Sequence, residues 1–397
     1  MILKLASRLL RETDPRLLAR FAWSFGGGGL VAVRRFRRRL ARGEVSPAFW
    51  FLSITSECNL RCRGCWVSVD GPPRRLDAGR LDRLIVRARR EGGRFFGILG
   101  GEPLLHPELF DLLARHRDCY FQVFTNGTLL TDAIARRLRE LGNVTPLVSI
   151  EGREVTSDRR RGGTGVYARA LEALEHCRRH RLITGVATSL CRENIDELLT
   201  RGFLDELVAR GVHYAWYYIY RPVGRDPAPE LVLSPEQVRR ARRFLVFARR
   251  DVPLILVYAY WDYRGRALCP AAVGISHRLS PAGDIEPCPP IQFAAERIAA
   301  GDDALKLAAG SAFLRAFREL AARTTRGCIL MERPDLLGEL VSAHGARDSS
   351  GRGTAAAELA AMQPACSHHL PGEELPELSW PYRFAKKHWF FGFGAYG

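Results

Sequence analysis

The sequence predicts an α/β fold built on a parallel sheet, and two observations carry that prediction. Between residues 49 and 222, short apolar runs alternate with amphipathic helical stretches. The runs are 50–55, 94–100, 120–125, 144–150, 183–190 and 213–220, with helical patterns at 81–90, 132–141, 167–180 and 195–210 between them. Six β-then-α units of this kind imply parallel strands joined by right-handed helical crossovers. In such sheets the chemistry gathers at the C-terminal ends of the strands. The unusual residues fall there: Cys58 after the first run, Gly100-Gly101-Glu102-Pro103 after the second, and Thr125-Asn126-Gly127 after the third. Glu151 follows the fourth run and Arg221 the sixth.

Composition bounds the class. The chain has 397 residues, 47% hydrophobic and 26% charged, which is globular rather than disordered or fibrous. That length suits two or three domains, or one barrel with additions. The net charge is +17, yet only Lys4, Lys306, Lys386 and Lys387 of the sixty basic residues are lysine. An arginine bias this strong reflects coding composition more than a nucleic-acid partner, and none is expected. Residues 1–48 hold eleven basic side chains against three acidic ones, as an interaction tail or a solvated face does. The apolar stretch 21–33 is broken by Gly26–Gly29 and is far short of the ~20 residues a membrane span needs. Arg8, Arg11, Glu12 and Asp14 interrupt any signal-peptide core. Ten cysteines without an export signal point to a reducing compartment and to metal or redox chemistry, so a cytoplasmic location is expected. Four parts follow: a basic helical lead-in (1–48), the β/α repeat (49–222), a small α+β extension (223–345) and a tail (346–397).

Cys58, Cys62 and Cys65 form a C-x3-C-x2-C loop directly after the first predicted strand. Thiolates are the usual ligands of iron–sulfur clusters, and three within eight residues can grip one face of a cubane. Three ligands leave one iron open to bind something else. A structural zinc site would want four closed ligands, and no local histidine or fourth cysteine supplies one. Chance clustering in a loop is the other plain reading.

This loop, followed by aromatic Trp66 at the end of the first strand of a β/α repeat, resembles that of the radical S-adenosylmethionine (SAM) superfamily. The resemblance covers residues 50–222 or so. It implies a partial (β/α)6 TIM-like barrel, a [4Fe–4S] cluster on the three cysteines, and SAM chelated to the open iron. It further implies reductive cleavage of SAM to a 5′-deoxyadenosyl radical that abstracts hydrogen from a substrate. Gly100, Gly101, Glu102 and Pro103 match the family's GGEP motif, implying backbone and carboxylate contact with the methionyl amino group of SAM. Thr125 and Asn126 match the third-strand motif near SAM. Ser149 and Glu151 match the fourth-strand Ser-x-Asp-Gly, with Glu in place of Asp, which implies a ribose contact. Asp158-Arg159-Arg160-Arg161-Gly162 fits Asp-x-x-Arg-Gly, making Arg161 the partner of the SAM carboxylate. Thr188, Ser189, Tyr220 and Arg221 end the fifth and sixth strands, where SAM or substrate would lie. Plain turns and a solvated arginine face are the structural alternatives for these motifs.

Seven cysteines remain. Cys119, Cys177 and Cys191 sit within strand or helix patterns and read as small buried hydrophobes. Cys269 and Cys288 flank a predicted β-hairpin with a Gly283-Asp284 turn, and Cys328 follows a helical stretch. This arrangement resembles the twitch/SPASM auxiliary-cluster domains found after many radical SAM barrels. Only four cysteines are left there, so the resemblance implies one second [4Fe–4S] cluster on Cys269, Cys288 and Cys328, with Cys366 as fourth ligand. Scattered cysteines or zinc are the alternatives.

The lead-in pairs leucines with arginines, as a helix does when it packs on a barrel exterior or lies on anionic lipid at the inner membrane face. The aromatic, basic tail from Trp380 to Gly397, with Phe384, Trp389, Phe390, Phe391, Phe393 and Tyr396, suits packing under the barrel, a plug for its mouth, or a membrane interface. Forty-eight residues ahead of the barrel are too few for a cobalamin domain. His368-His369 is a weak metal signal, because neighbours cannot both face one site easily. Three functions are therefore expected in order: a radical SAM enzyme on an unidentified small-molecule, lipid-like or peptide substrate; a non-catalytic iron–sulfur electron-transfer protein; and a peripheral membrane protein. The first requires a flavodoxin- or ferredoxin-like electron donor.

Overall fold

Aromatic and branched side chains in the apolar runs favour extended backbone, and their burial on both faces is what a parallel sheet covered by helices demands. The computed structural model describes residues 1–69 and 71–389. Seven strands follow in chain order, each pairing in parallel with the next: β1 (Phe49–Ser53), β2 (Phe95–Leu99), β3 (Tyr120–Thr125), β4 (Val144–Ser149), β5 (Gly185–Leu190), β6 (Tyr214–Ile219) and β7 (Ile255–Val257). On the far side of β1 lies β8 (Ser276–Leu279), also parallel, and β9 (Ile285–Glu286) turns back antiparallel to it. The result is a nine-stranded partial barrel. All six expected strands are present, and strand pairing continues past residue 222 through β7 and β8. A two-stranded ladder, β10 (Phe293–Ala294) with β11 (Arg347–Asp348), likewise bridges the expected division at 345.

Local chemistry sets the helices. In the helix Ala78–Arg90 the Asp77 side chain accepts from the Arg80 amide, and Leu81, Leu84, Ile85 and Ala88 bury one face. The helix Asp132–Leu141 starts at a Thr131 cap and stops at Gly142, whose φ of 74° is left-handed. The β8–β9 hairpin turns through Gly283 at φ 89°, where a side chain would be strained.

Along each strand, alternate residues face into the barrel. At its N-terminal end Phe49, Phe95 and Tyr120 pack with Phe21, Phe25 and Trp389. Leu147, Tyr214 and Val257 pack with Met1, Leu18, Tyr382 and Ala385. The lead-in helices Ile2–Glu12, Pro15–Phe21 and Gly28–Leu40, joined by a π-helical turn at Ala22–Gly27, thus close that end of the barrel together with the helix Trp380–His388. Buried Arg8 ties the first helix down by donating to the carbonyls of Val208, Val212 and Pro253. Phe390, Phe391, Phe393 and Tyr396 lie outside the described residues. Among the described residues no helix is long and apolar enough to cross a membrane.

Candidate active site

The C-terminal ends of the strands surround a cavity of about 800 Å³. Its rim is the cysteine loop, which two glycines let settle over β2. The Gly101 amide donates to Thr55 O (2.8 Å) and the Glu102 amide to Glu57 O (2.7 Å), extending the β1–β2 pairing into the loop. A Cβ on Gly101 would overlap the Glu57 carbonyl and stand 2.8 Å from Cβ of Cys58; one on Gly100 would stand 2.8 Å from Thr55 O. The pair is therefore needed to seat Cys58, before any question of ligand approach. On the other side the Arg63 amide donates to Arg160 O (2.9 Å), and Gly64, at φ 67°, leaves room only for the Tyr220 ring.

Cys58, Cys62 and Cys65 all face this cavity. Burial pushes the Cys65 thiol up to about 12, helped by neighbouring Cys62 and Cys58, and burial also raises Cys58. Cys58 and Cys65, raised in this way, hold their protons unless a cation takes up the charge, as metal-ligand thiols do. Among the described residues no three His, Cys, Asp or Glu side chains converge as the ligands of a single ion do. The thiolates of a cubane bind separate irons and do not meet on one ion.

Arg161 enters beside them. It ends the helix Glu154–Arg161, which Gly162 terminates at φ 67°, and a Cβ there would overlap the Arg61 carbonyl. Its NH1 lies 3.6 Å from Cys62 Sγ and its NH2 3.7 Å from Glu151 Oε1. Burial opposes its charge, but Cys62, Glu151 and Cys65 outweigh burial and raise its pKa. Its Nε and NH2 are buried without any hydrogen-bond partner. A desolvated guanidinium with free donors beside three thiols matches a ligand that brings a carboxylate to a cluster. The residues present fit a cubane with SAM on its open iron.

Other expected residues take different posts. Glu102 is wholly buried behind the wall: its carboxylate accepts from the Leu104 amide, the Thr125 hydroxyl and the Asn126 amide at 2.7–3.1 Å. Burial raises its pKa, against those hydrogen bonds. Glu102 therefore locks the β3 turn to β2, and it lies behind the residues that line the cavity. Buried Pro103 lies behind the wall with it. Thr125 and Asn126 do line the cavity, yet the Asn126 side chain is committed to Asn59 (2.8 Å) and to Thr128. Ser149 and Glu151 face the cavity, and Glu151 Oε2 accepts from the Ser189 amide (3.1 Å).

Cys269, Cys288 and Cys328 line the same cavity further along. Cys269 and Cys328 each precede a short helix, Pro270–Val273 and Ile329–Glu332, and Cys288 follows β9. Burial pushes Cys269 up to about 11, with Cys328 adding to it, and Cys288 feels both. Arg221, just past β6, sets Nε 3.3 Å from Cys328 Sγ and NH1 3.2 Å from Tyr260 Oη. Cys366 is not brought to this group. Cys366 is absent from the cavity lining, and next to it Ser367 accepts from the Cys328 amide (3.2 Å) and donates to Glu332. The Cys366 thiol meets Ser367 O and has Glu332 and Arg239 as charged neighbours. His368 and His369 also part company, to Leu268 O and to Thr325. Cys119, Cys177 and Cys191 are buried apart from the cavity wall.

Sequence reasoning missed two features. Arg160 lies over the Tyr220 ring (4.5 Å) with its NH1 buried and unpartnered. An aromatic wall of Phe51, Phe124, Trp216 and Tyr218 forms one side of the cavity, with Trp216 and Tyr218 stacked at 5.6 Å. The signal was present as alternate aromatics in 214–219.

The sequence pattern of the Radical SAM superfamily matches residues 52–201. Pre-heme d1 synthase of Dinoroseobacter shibae is 33% identical over 171 residues, 40% of this chain and 40% of that protein. AdoMet-dependent heme synthase of Methanosarcina barkeri is 28% identical over 200 residues, 49% of this chain and 56% of that protein. The chain thus spans about half the length of these curated relatives. Among solved structures, SuiB of Streptococcus suis bound to S-adenosylmethionine superposes with a TM-score of 0.60 at 15% identity, over 74% of this chain and 72% of that one. That likeness is one of fold.

Proposed function

We propose, from the premise that this chain is a member of the radical SAM superfamily, that it reductively cleaves SAM and modifies its substrate by hydrogen abstraction. The cofactors of the superfamily are a [4Fe–4S] cluster and SAM; when bound, they supply one-electron cleavage of the sulfonium C–S bond to methionine and a 5′-deoxyadenosyl radical. The observation that carries the proposal is the placing of unpartnered Arg161 donors beside Cys58, Cys62 and Cys65 on one cavity wall. In this reading the three cysteines hold the cluster and Arg161 orients the SAM carboxylate. Gly100 and Gly101 seat the loop, and Thr125, Asn126, Ser149 and Glu151 shape the SAM side. Glu102 and Pro103 act from behind, by fixing the turns.

Cys269, Cys288 and Cys328 are proposed to hold a second [4Fe–4S] cluster whose fourth position opens to the cavity, Cys366 taking no part. The aromatic wall gives the chamber an apolar side and suits an apolar reacting group on a small-molecule, lipid-like or peptide substrate. The electron donor is read as flavodoxin- or ferredoxin-like, and the location as cytoplasmic. Anaerobic reconstitution followed by dithionite reduction with SAM tests the proposal: 5′-deoxyadenosine should form, and should not form when Cys58, Cys62 or Cys65 is alanine. Iron quantitation tests the second cluster, with about eight irons per chain expected and about four removing it.

A further inference from the structure

We infer that the helical layer across the N-terminal end of the barrel is a docking face for an anionic lipid bilayer. Among the described residues eleven large apolar side chains are exposed, and nine of them belong to the two terminal segments, within 2–40 and 378–384. Leu3 is 85% exposed, Leu10 68%, Trp23 76%, Trp380 65% and Phe384 53%. Leaving groups of this size in water costs free energy that a folded chain ordinarily avoids by turning them inward.

Helical spacing shows that the exposure is patterned. In the helix Ile2–Glu12, Leu3 and Leu10 lie seven residues apart on the outer face, while Arg8 is buried on the inner one. In the helix Trp380–His388, Tyr382 and Lys386 are buried, and Trp380, Arg383, Phe384 and Lys387 point outward at i, i+3, i+4 and i+7. Met1, at the head of the first helix, packs with Leu18 and Phe21 of the second and with Ala385 and Trp389 at the C-terminal end, and Trp389 Nε1 donates to Phe25 O (2.9 Å). The two outward faces therefore belong to one surface.

Charge selects the occupant. Lys4, Arg11, Arg34, Arg38, Arg42 and Arg383 stand exposed around the apolar tips. A second copy of this surface would set like charges against like. The apolar side chains sit as separate tips over several helices, with no single groove for a partner helix. Isolated Trp, Phe and Leu tips accompanied by exposed bases suit the headgroup region of an anionic membrane, where each base near the surface adds to the attraction. The cavity opens at the opposite end of the strands. A docked molecule keeps its mouth clear of the bilayer, open to substrate and to an electron donor arriving from solution. This inference holds whatever chemistry the cavity performs.

Vesicle flotation of the full chain tests it, using phosphatidylcholine vesicles with and without phosphatidylglycerol. Flotation is expected with the anionic vesicles alone, reversed by high salt, and weakened at least about tenfold in the L3S/L10S/W380S/F384S variant. F247S, which removes an exposed apolar side chain outside the layer, should float as the parent does. Melting curves confirm that the quadruple variant is folded. No flotation on anionic vesicles, or undiminished flotation of the quadruple variant, overturns the inference. So does a concentration-dependent dimer that the four substitutions abolish while vesicles go unbound, which would make a second copy the occupant.

Discussion

Arg161 and Gly101 test the site one side chain at a time. The unpartnered donors of Arg161 predict that Arg161→Ala weakens SAM binding roughly 10- to 150-fold, the loss of a charged hydrogen-bond pair of about 1.5–3 kcal/mol. Iron content should stay unchanged. Calorimetric titration of the reconstituted protein measures this, and parental affinity would show that Arg161 faces something else. Gly101→Ala acts differently, since its methyl meets backbone of the cysteine loop, which cannot yield as a flexible side chain would. Destabilisation of about 2 kcal/mol or more and loss of bound iron are expected, read by thermal melts and iron assay. The sequence made these residues visible because their types and spacing are dictated by chemistry. It did not reveal that Glu102 accepts from Thr125 and Asn126, nor that Ser367 and not Cys366 contacts Cys328. Both depend on which of two neighbouring side chains a fold points inward, and spacing alone cannot say.

Turns between elements carry the next level of control. Asp158 accepts from the amides of Gly165 (2.6 Å) and Tyr167 (2.7 Å) at the start of the helix Val166–Arg179, so it fixes the link following Arg161. Asp158→Ala should lower stability by about 1 kcal/mol, the usual loss of an N-cap. It should also raise the KM for SAM several-fold while leaving iron content intact. Denaturant melts and steady-state kinetics check the two parts, and an unchanged KM would confine Asp158 to stability. Strands β1 to β6 were legible within two residues because each is a run of five or six buried residues bounded by turns. β7 and β8 were not. They are three and four residues long, and β8 joins the main sheet by pairing with β1, a contact between distant parts of the chain that no local pattern records.

Across the whole molecule, a buried charge cluster fastens the C-terminal segment to the barrel. Glu377 is fully buried among Arg242 (2.7 Å), Lys386 (3.1 Å) and Arg249. Burial alone would raise its pKa, but Arg249, Lys386 and Arg242 together hold it well below the usual carboxylate range. Its contribution to stability is therefore present above the unfolded-state pKa of about 4.3 and is lost as pH falls below that value. Glu377→Gln should cost about 3–5 kcal/mol at neutral pH, by leaving buried cations unpaired. It should also flatten the loss of stability between pH 5 and 3, as denaturant melts across that range would show. A parental acid limb in the variant would assign that loss to other carboxylates. Basic patterning marked both chain ends as unusual, but the sequence left barrel packing and lipid contact both open. The structure gives these helices an inner face that closes the barrel and an outer face with apolar tips. The central claim is the joining of Cys58, Cys62, Cys65 and Arg161 into one SAM-cleaving centre. Its most direct test is 5′-deoxyadenosine formation by the reconstituted, dithionite-reduced protein. The account predicts product from the parent and none from any of the three cysteine variants. No product from a parent with a full iron complement, or product from a cysteine variant, would contradict it.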